Sequence, residues 1–66
     1  MAENSSDIFN VDLADFERKV LGVSHDRPVL IDLWAEWCPP CLAIAPVLEK
    51  VINNYAGKVC LAKIEV

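Results

Sequence analysis

The stretch VLIDLWAEWCPPC, Val29 to Cys41, constrains this chain more than any other. Its first six residues are apolar except for Asp32, in a continuous rather than alternating run. That pattern suits a parallel strand covered on both faces, with Pro28 at its start. The strand leads directly into a two-cysteine turn, and a helix opens at the second cysteine. The rest of the chain is expected to support this unit.

The 66 residues make one domain at most. A chain of this size buries only about 60% of the surface its unfolded form exposes, so its margin of stability is thin. The apolar fraction of 55% nevertheless belongs to a globular chain and not to a disordered one. A formal charge of −4 excludes the basic face that nucleic acid or an anionic membrane requires. The N-terminal MAENSSD has neither the basic nor the apolar region of a secretory signal, and no apolar run approaches the roughly 20 residues of a membrane span. These features point to a cytoplasmic protein. In that reducing setting a C-x-x-C pair reads as redox-active or metal-binding, not as a structural staple.

In chain order, residues 1–7 read as a flexible N-terminal segment, and Ile8 to Val11 as a short strand. Asp12 then suits a helix N-cap that accepts the N–H of Asp15, with Val11 and Phe16 forming a hydrophobic staple. Leu13, Phe16 and Val20 share one face of a helix expected over 13–21, with Gly22 as its stop. Gly22 to Pro28 is a loop in which His25 reads as a solvated residue. The next helix, Pro40 to Tyr55, carries a stripe of Cys41, Ile44, Ala45, Leu48, Val51, Ile52 and Tyr55. Glu49, Lys50, Asn53 and Asn54 lie off that stripe, Pro46 is expected to bend the helix, and Gly57 ends it. Lys58 to Val66 is a last strand, with Cys60 as a buried core residue. Alternation of strands and helices predicts an α/β fold with a parallel three-stranded sheet and helices on both faces.

A C-x-x-C at a helix start puts two sulfurs one turn apart. The first lies near unsatisfied backbone N–H groups and the positive end of the helix dipole, which favour the thiolate, the nucleophile of disulfide exchange. Cys38, on the loop side, is then the attacking thiol. Cys41, on the helix stripe, resolves the mixed disulfide. A pair of small core residues, or half a zinc site, are the competing readings. Zinc needs about four ligands, and Cys60 and His25, the other soft candidates, have no ligand spacing. No cofactor or metal is expected.

Asp32 lies six residues before Cys38 on the strand that feeds the turn. A carboxylate in an apolar strand is costly to bury ionised. Its position suits a group that takes the proton of a buried resolving thiol, the alternative being a place at the wet end of the sheet. Lys63 is a candidate charge partner or else a solvated lysine. Trp34 reads as packing, and Trp37, beside Cys38, as an aromatic wall for a partner chain.

Together WAEWCPPC, the preceding Asp32, the following IAPVLE, the G-K after the long helix and the A-K of the last strand resemble the thioredoxin family from about Ile8 to Val66. The resemblance implies a thioredoxin-like fold and protein disulfide reductase activity. It implies Cys38 as nucleophile, Cys41 as resolving thiol, Asp32 and Lys63 as the family's buried acid and its lysine neighbour, and Trp37 and Pro39 beside the substrate. Implied partners are disulfide-containing proteins and a thioredoxin reductase. Two departures carry expectations. Pro39-Pro40 replaces the usual Gly-Pro, which should delay or strain the helix start and leave a Cys38 thiolate with fewer backbone donors; Leu42 stands where the family commonly has a basic residue. The family's cis-proline loop, C-terminal hairpin and last helix have no counterpart in the 66 residues, so 8–66 is expected to be a partial, truncated domain. The Asp32 strand would then be a bare edge open to self-association. A binding or co-chaperone module, known among longer thioredoxin-like proteins, is the alternative function.

Overall fold

The structure, a computed structural model, describes residues 7–66. Three parallel strands, β1 (Ile8–Asn10), β2 (Val29–Trp34) and β3 (Cys60–Glu65), form one sheet in the order β1-β3-β2. The expected strand–helix–strand–helix–strand order is thus present. The last strand in sequence is central in space, and its Cys60, Leu61 and Ala62 are completely buried. The register sets Asn10 and Asp32 on either side of Lys63. Because side chains alternate along a strand, Leu30, Asp32, Trp34, Leu61 and Lys63 share one face. Val29, Ile31, Leu33, Ala62 and Ile64 share the other.

The first helix, α1, is a π-helical stretch, Glu17–Leu21, that runs into one turn, Gly22–Ser24. Its start follows the sequence reading only in part: the N–H of Asp15 donates to Asp12 Oδ1 at 3.1 Å and Phe16 packs on a core that contains buried Val11, but residues 13–15 form a turn and the helix begins at Glu17 with Phe16, not Asp12, as its N-cap. Its end does not follow it. Gly22 has a helical φ of −61° and donates its N–H to the carbonyl of Glu17, so it continues the helix. The stop comes at the C-cap His25, after Ser24, and Pro28 keeps the backbone just before it from resuming a helix. Buried Val20 joins Val11, Ala62 and Ile64 with Phe9, Phe16 and Val29, which places α1 over β1 and β3.

The long helix α2 (Pro39–Asn54) lies on the opposite face, against β2 and β3. Ile52 is its fully buried anchor, worth about 1.5–3 kcal/mol of apolar burial. Cys41, Ala45 and Leu48 line up with it and are half-buried, whereas Ile44, Val51 and Tyr55 are exposed. The expected seven-residue stripe is therefore split: one line of it meets the sheet and its flank is open. The helix ends at Tyr55, with Ala56 (φ 51°) and Gly57 (φ 86°) in left-handed backbone.

Strand β2 is the edge of the sheet, as the resemblance implied, but it is not covered on both faces as its apolar run suggested: Leu30, Ile31 and Leu33 are 44%, 42% and 59% exposed. Its continuous apolar run is covered only around Asp32 and, in part, at Val29 and Trp34. The flexible segment expected over 1–7 lies outside the described residues except for Asp7. The Asp7 carboxylate accepts from Arg27 Nη1 at 2.8 Å, and its carbonyl accepts the N–H of Leu61 at 2.6 Å. The same guanidinium donates to the carbonyl of Gly57 at 2.7 Å, so Arg27 ties the loop before β2 to the segments that lead into β1 and β3.

Candidate active site

Residues 35–38 close a turn at the C-terminal end of β2, with the N–H of Cys38 donating to the carbonyl of buried Ala35 at 3.1 Å. Cys38 is the N-cap of α2, with φ −118° and ψ 89°. Extended backbone there follows from the proline after it. Pro39 and Pro40 occupy the first two helical positions. The expectation that the double proline delays the helix is overturned. Both rings have the φ that a helix needs, and both sit where a missing N–H breaks no intrahelical bond. The first such bond runs from the N–H of Leu42 to the carbonyl of Cys38 at 3.1 Å. In that turn the N–H of Cys41 is the remaining donor near the cysteines.

Cys38 and Cys41 are joined as a disulfide, with Cα atoms 5.3 Å apart. Both are half-buried in this oxidised form, so exposure alone does not separate an attacking from a resolving thiol. Trp37 beside them is 76% exposed, and Pro39 is exposed as well. A cleft of about 790 Å³ opens at the strand ends between Asn10, Asp12, Lys19, Trp34, Lys63 and Glu65. Neither cysteine lines it. The disulfide stands instead on an open surface at the tip of a helix, which can meet the chain of another protein without a pocket to fill.

Asp32 lies under α2. It is only 6% exposed, and its Oδ2 has no hydrogen-bond partner among the described residues. Trp34, two residues on along the same face, likewise has its Nε1 buried without a partner. Lys63 is the register neighbour of Asp32, as the sequence reading requires. Its ammonium, however, goes to Glu49 Oε2 of α2 at 2.7 Å, and this ion pair is largely shielded from water. Glu49, expected only to lie off the buried stripe, is half-buried at its margin. The available signal was its spacing, three residues before Ile52 and four after Ala45, which puts it on the margin of the buried line. Cys60 is a free, fully buried thiol, as expected, and burial pushes it up from its ordinary value against the opposing pull of Arg27.

A parallel α/β sheet with a disulfide-forming C-x-x-C at the tip of its long helix places the chain among domains built around a cysteine pair. The thioredoxin family model matches residues 7–66, and the chain belongs to the thioredoxin family. It is 50% identical over 62 residues to Thioredoxin C-2 of Corynebacterium nephridii, an alignment covering 94% of this chain and 56% of that protein. The thioredoxin of Pseudomonas aeruginosa gives the same identity and coverage. The Haemophilus influenzae thioredoxin is 46% identical over 61 residues, with 92% of this chain and 55% of that protein covered. The chain thus spans little more than half the length of the curated relatives it matches. No helix among the described residues is long and apolar enough to cross a membrane.

Proposed function

We propose that this chain carries the dithiol centre of a protein thiol–disulfide oxidoreductase. The observation that carries the reading is the Cys38–Cys41 disulfide at the start of α2, just beyond the C-terminal end of the strand that holds buried Asp32. In the reduced form Cys38, at the N-cap, attacks a disulfide of a protein substrate and releases one substrate thiolate. Asp32 accepts the proton of the Cys41 thiol. The Cys41 thiolate then attacks Cys38 Sγ, the bond from Cys38 to the substrate breaks, and the second substrate thiol leaves as Cys38–Cys41 forms. Two electrons pass from the dithiol to the substrate disulfide.

Lys63 tunes Asp32 through the position of its ammonium, and Trp37 and Pro39, both exposed beside the sulfurs, contact the substrate chain. The disulfide is returned to the dithiol by a thioredoxin reductase in a reducing compartment such as the cytoplasm. Thioredoxin identity in relatives at 46–50% supports these assignments. The bare apolar edge of β2 supports self-association as a further property of the chain.

Insulin precipitation in dithiothreitol, with wild type and Cys38→Ser, tests the reading. Acceleration by wild type that Cys38→Ser abolishes is the expected result. If both forms act alike, by delaying aggregation of the released chains, the protein is a binding or co-chaperone module and the enzyme reading is wrong.

A further inference from the structure

We infer that Glu49 is a positioning residue of this redox centre: it holds the Lys63 ammonium away from Asp32 and so keeps Asp32 a competent proton acceptor. The inference rests on the dithiol mechanism proposed above and adds to it a residue outside the cysteine motif.

Asp32 and Lys63 are directly opposite on neighbouring strands and point to the same face of the sheet. Neighbouring strands lie about 4.8 Å apart, and opposite charges in that relation ordinarily pair. Here they do not. The ammonium is on Glu49 at 2.7 Å, while Asp32 Oδ2 stays buried and without a hydrogen-bond partner among the described residues. Glu49 therefore wins a cation that the strand register offers first to Asp32. It can do so because the lysine stem spans from the sheet to the margin of α2, where Glu49 sits half-buried beside the helix line that meets the sheet.

The consequence is chemical. A cation against a carboxylate stabilises the ionised form and makes it a poorer base. With Lys63 held by Glu49, no cation among the described residues is paired with Asp32. The charged and titratable groups that the register and helix packing bring to this face are Lys63 and Glu65 of β3 and Cys41 and Glu49 of α2. Of these, Glu49 is the one that can redirect the lysine. Removing its charge leaves Asp32 as the carboxylate next to Lys63.

The resolving step can be read alone by mixing the reduced protein with one equivalent of dithiobis-nitrobenzoate. Attack by Cys38 releases one coloured thiolate, and attack by Cys41 on the mixed disulfide releases the second. In Glu49→Gln the second release slows about threefold or more on its alkaline plateau, and its acid limb moves to lower pH, because a base paired with a cation is weaker yet ionises earlier. Glu49→Asp retains the wild-type profile, and Glu49→Gln with Lys63→Met restores it. In an Asp32→Asn background Glu49→Gln changes nothing.

A Glu49→Gln profile that overlays wild type overturns the inference, as does a double variant that stays slow or an effect that persists in Asp32→Asn. If Glu49→Gln does not fold, the double variant, which leaves no lysine without its partner, decides the matter: wild-type resolution supports the inference and slow resolution overturns it. Failure of the underlying mechanism looks different. A wild-type protein that shows no Cys41-dependent second release refutes dithiol exchange itself, whatever Glu49 does.

Discussion

The double proline makes a quantitative prediction about the attacking sulfur. A side chain at the N-cap accepts from the N–H of the second or third helical residue. In this chain those residues are Pro40, which has no N–H, and Cys41, which has one. The N–H of Leu42 is already taken by the carbonyl of Cys38. A reduced Cys38 thiolate therefore has a single well-placed donor, and Pro40→Ala supplies a second. A hydrogen bond to a charged group contributes about 1.5–3 kcal/mol. Cys38 is half-buried, so water competes for the sulfur and about 1 kcal/mol is the reasonable share. That is about a fivefold gain in thiolate population at a pH below the titration midpoint. Pro39→Gly restores only the N–H of the first helical residue, which lies outside the cap positions. It acts through the helix dipole at about 0.3 kcal/mol, less than about twofold in population.

The assay is the rate of iodoacetamide alkylation of the reduced protein across pH, each variant scaled to its own alkaline plateau so that intrinsic nucleophilicity cancels. The titration midpoint should move down in both variants, and further in Pro40→Ala. Urea unfolding is run beside it, because losing a proline frees the unfolded chain by about 0.4–1 kcal/mol. An unchanged or higher midpoint in Pro40→Ala, or a change in Pro39→Gly as large as that in Pro40→Ala, refutes the donor argument.

Three further outcomes follow from the packing. Ala56 holds a left-handed φ of 51°, a strain of about 1–2 kcal/mol that glycine avoids while losing about 0.5–1 kcal/mol of chain entropy; Ala56→Gly should raise the urea midpoint with an unchanged slope. Burial raises the Cys60 thiol above its ordinary 9.0, so the unfolded chain loses this proton first and stability should fall as pH climbs from about 9 towards the folded value; a Cys60→Ala variant should lack that slope in unfolding curves taken at increasing pH. Ile31→Lys or Leu33→Lys places a charge on the bare side of β2, and sedimentation should show less self-association than wild type while thermal melts stay cooperative.

The elements that the sequence made legible are those with strong local codes. Asp12 closes the turn before the first helix because a short acceptor precedes an apolar period, and the long helix shows its period over four turns. The cysteine pair was legible because its spacing and its place after a strand are both local. What stayed hidden depends on which element lies beside which. Gly22 looked like a stop because glycine favours left-handed backbone, but here the π-helical stretch carries it onward in ordinary helical backbone. Glu49 looked off the buried stripe because helical periodicity gives a face but not the reach of a lysine from the sheet below. Arg27 carried no sequence signal, and only the fold brings Asp7 and the carbonyl of Gly57 to its guanidinium.

Strand β2 shows why the chemistry of this chain and its stability answer to different residues. Alternation sends Asp32 and Trp34 to the α2 face, where the carboxylate is buried, and sends Ile31 and Leu33 to the α1 face, where α1 covers β1 and β3 but stops short of the edge. A continuous apolar run therefore does not report two buried faces here. It reports one face that serves the site and another that remains open. Covering Ile31 and Leu33 removes apolar surface from water at about 25 cal/mol per Å² and leaves the Asp32 side untouched. Substitutions on the odd-numbered positions of β2 should accordingly move unfolding and association without changing the pH profile of disulfide exchange. Those at Asp32, Glu49 and Lys63 should move the profile first. The division follows from the two-residue period of a strand, and it lets one six-residue segment be both the floor of a redox centre and the weakest edge of its sheet.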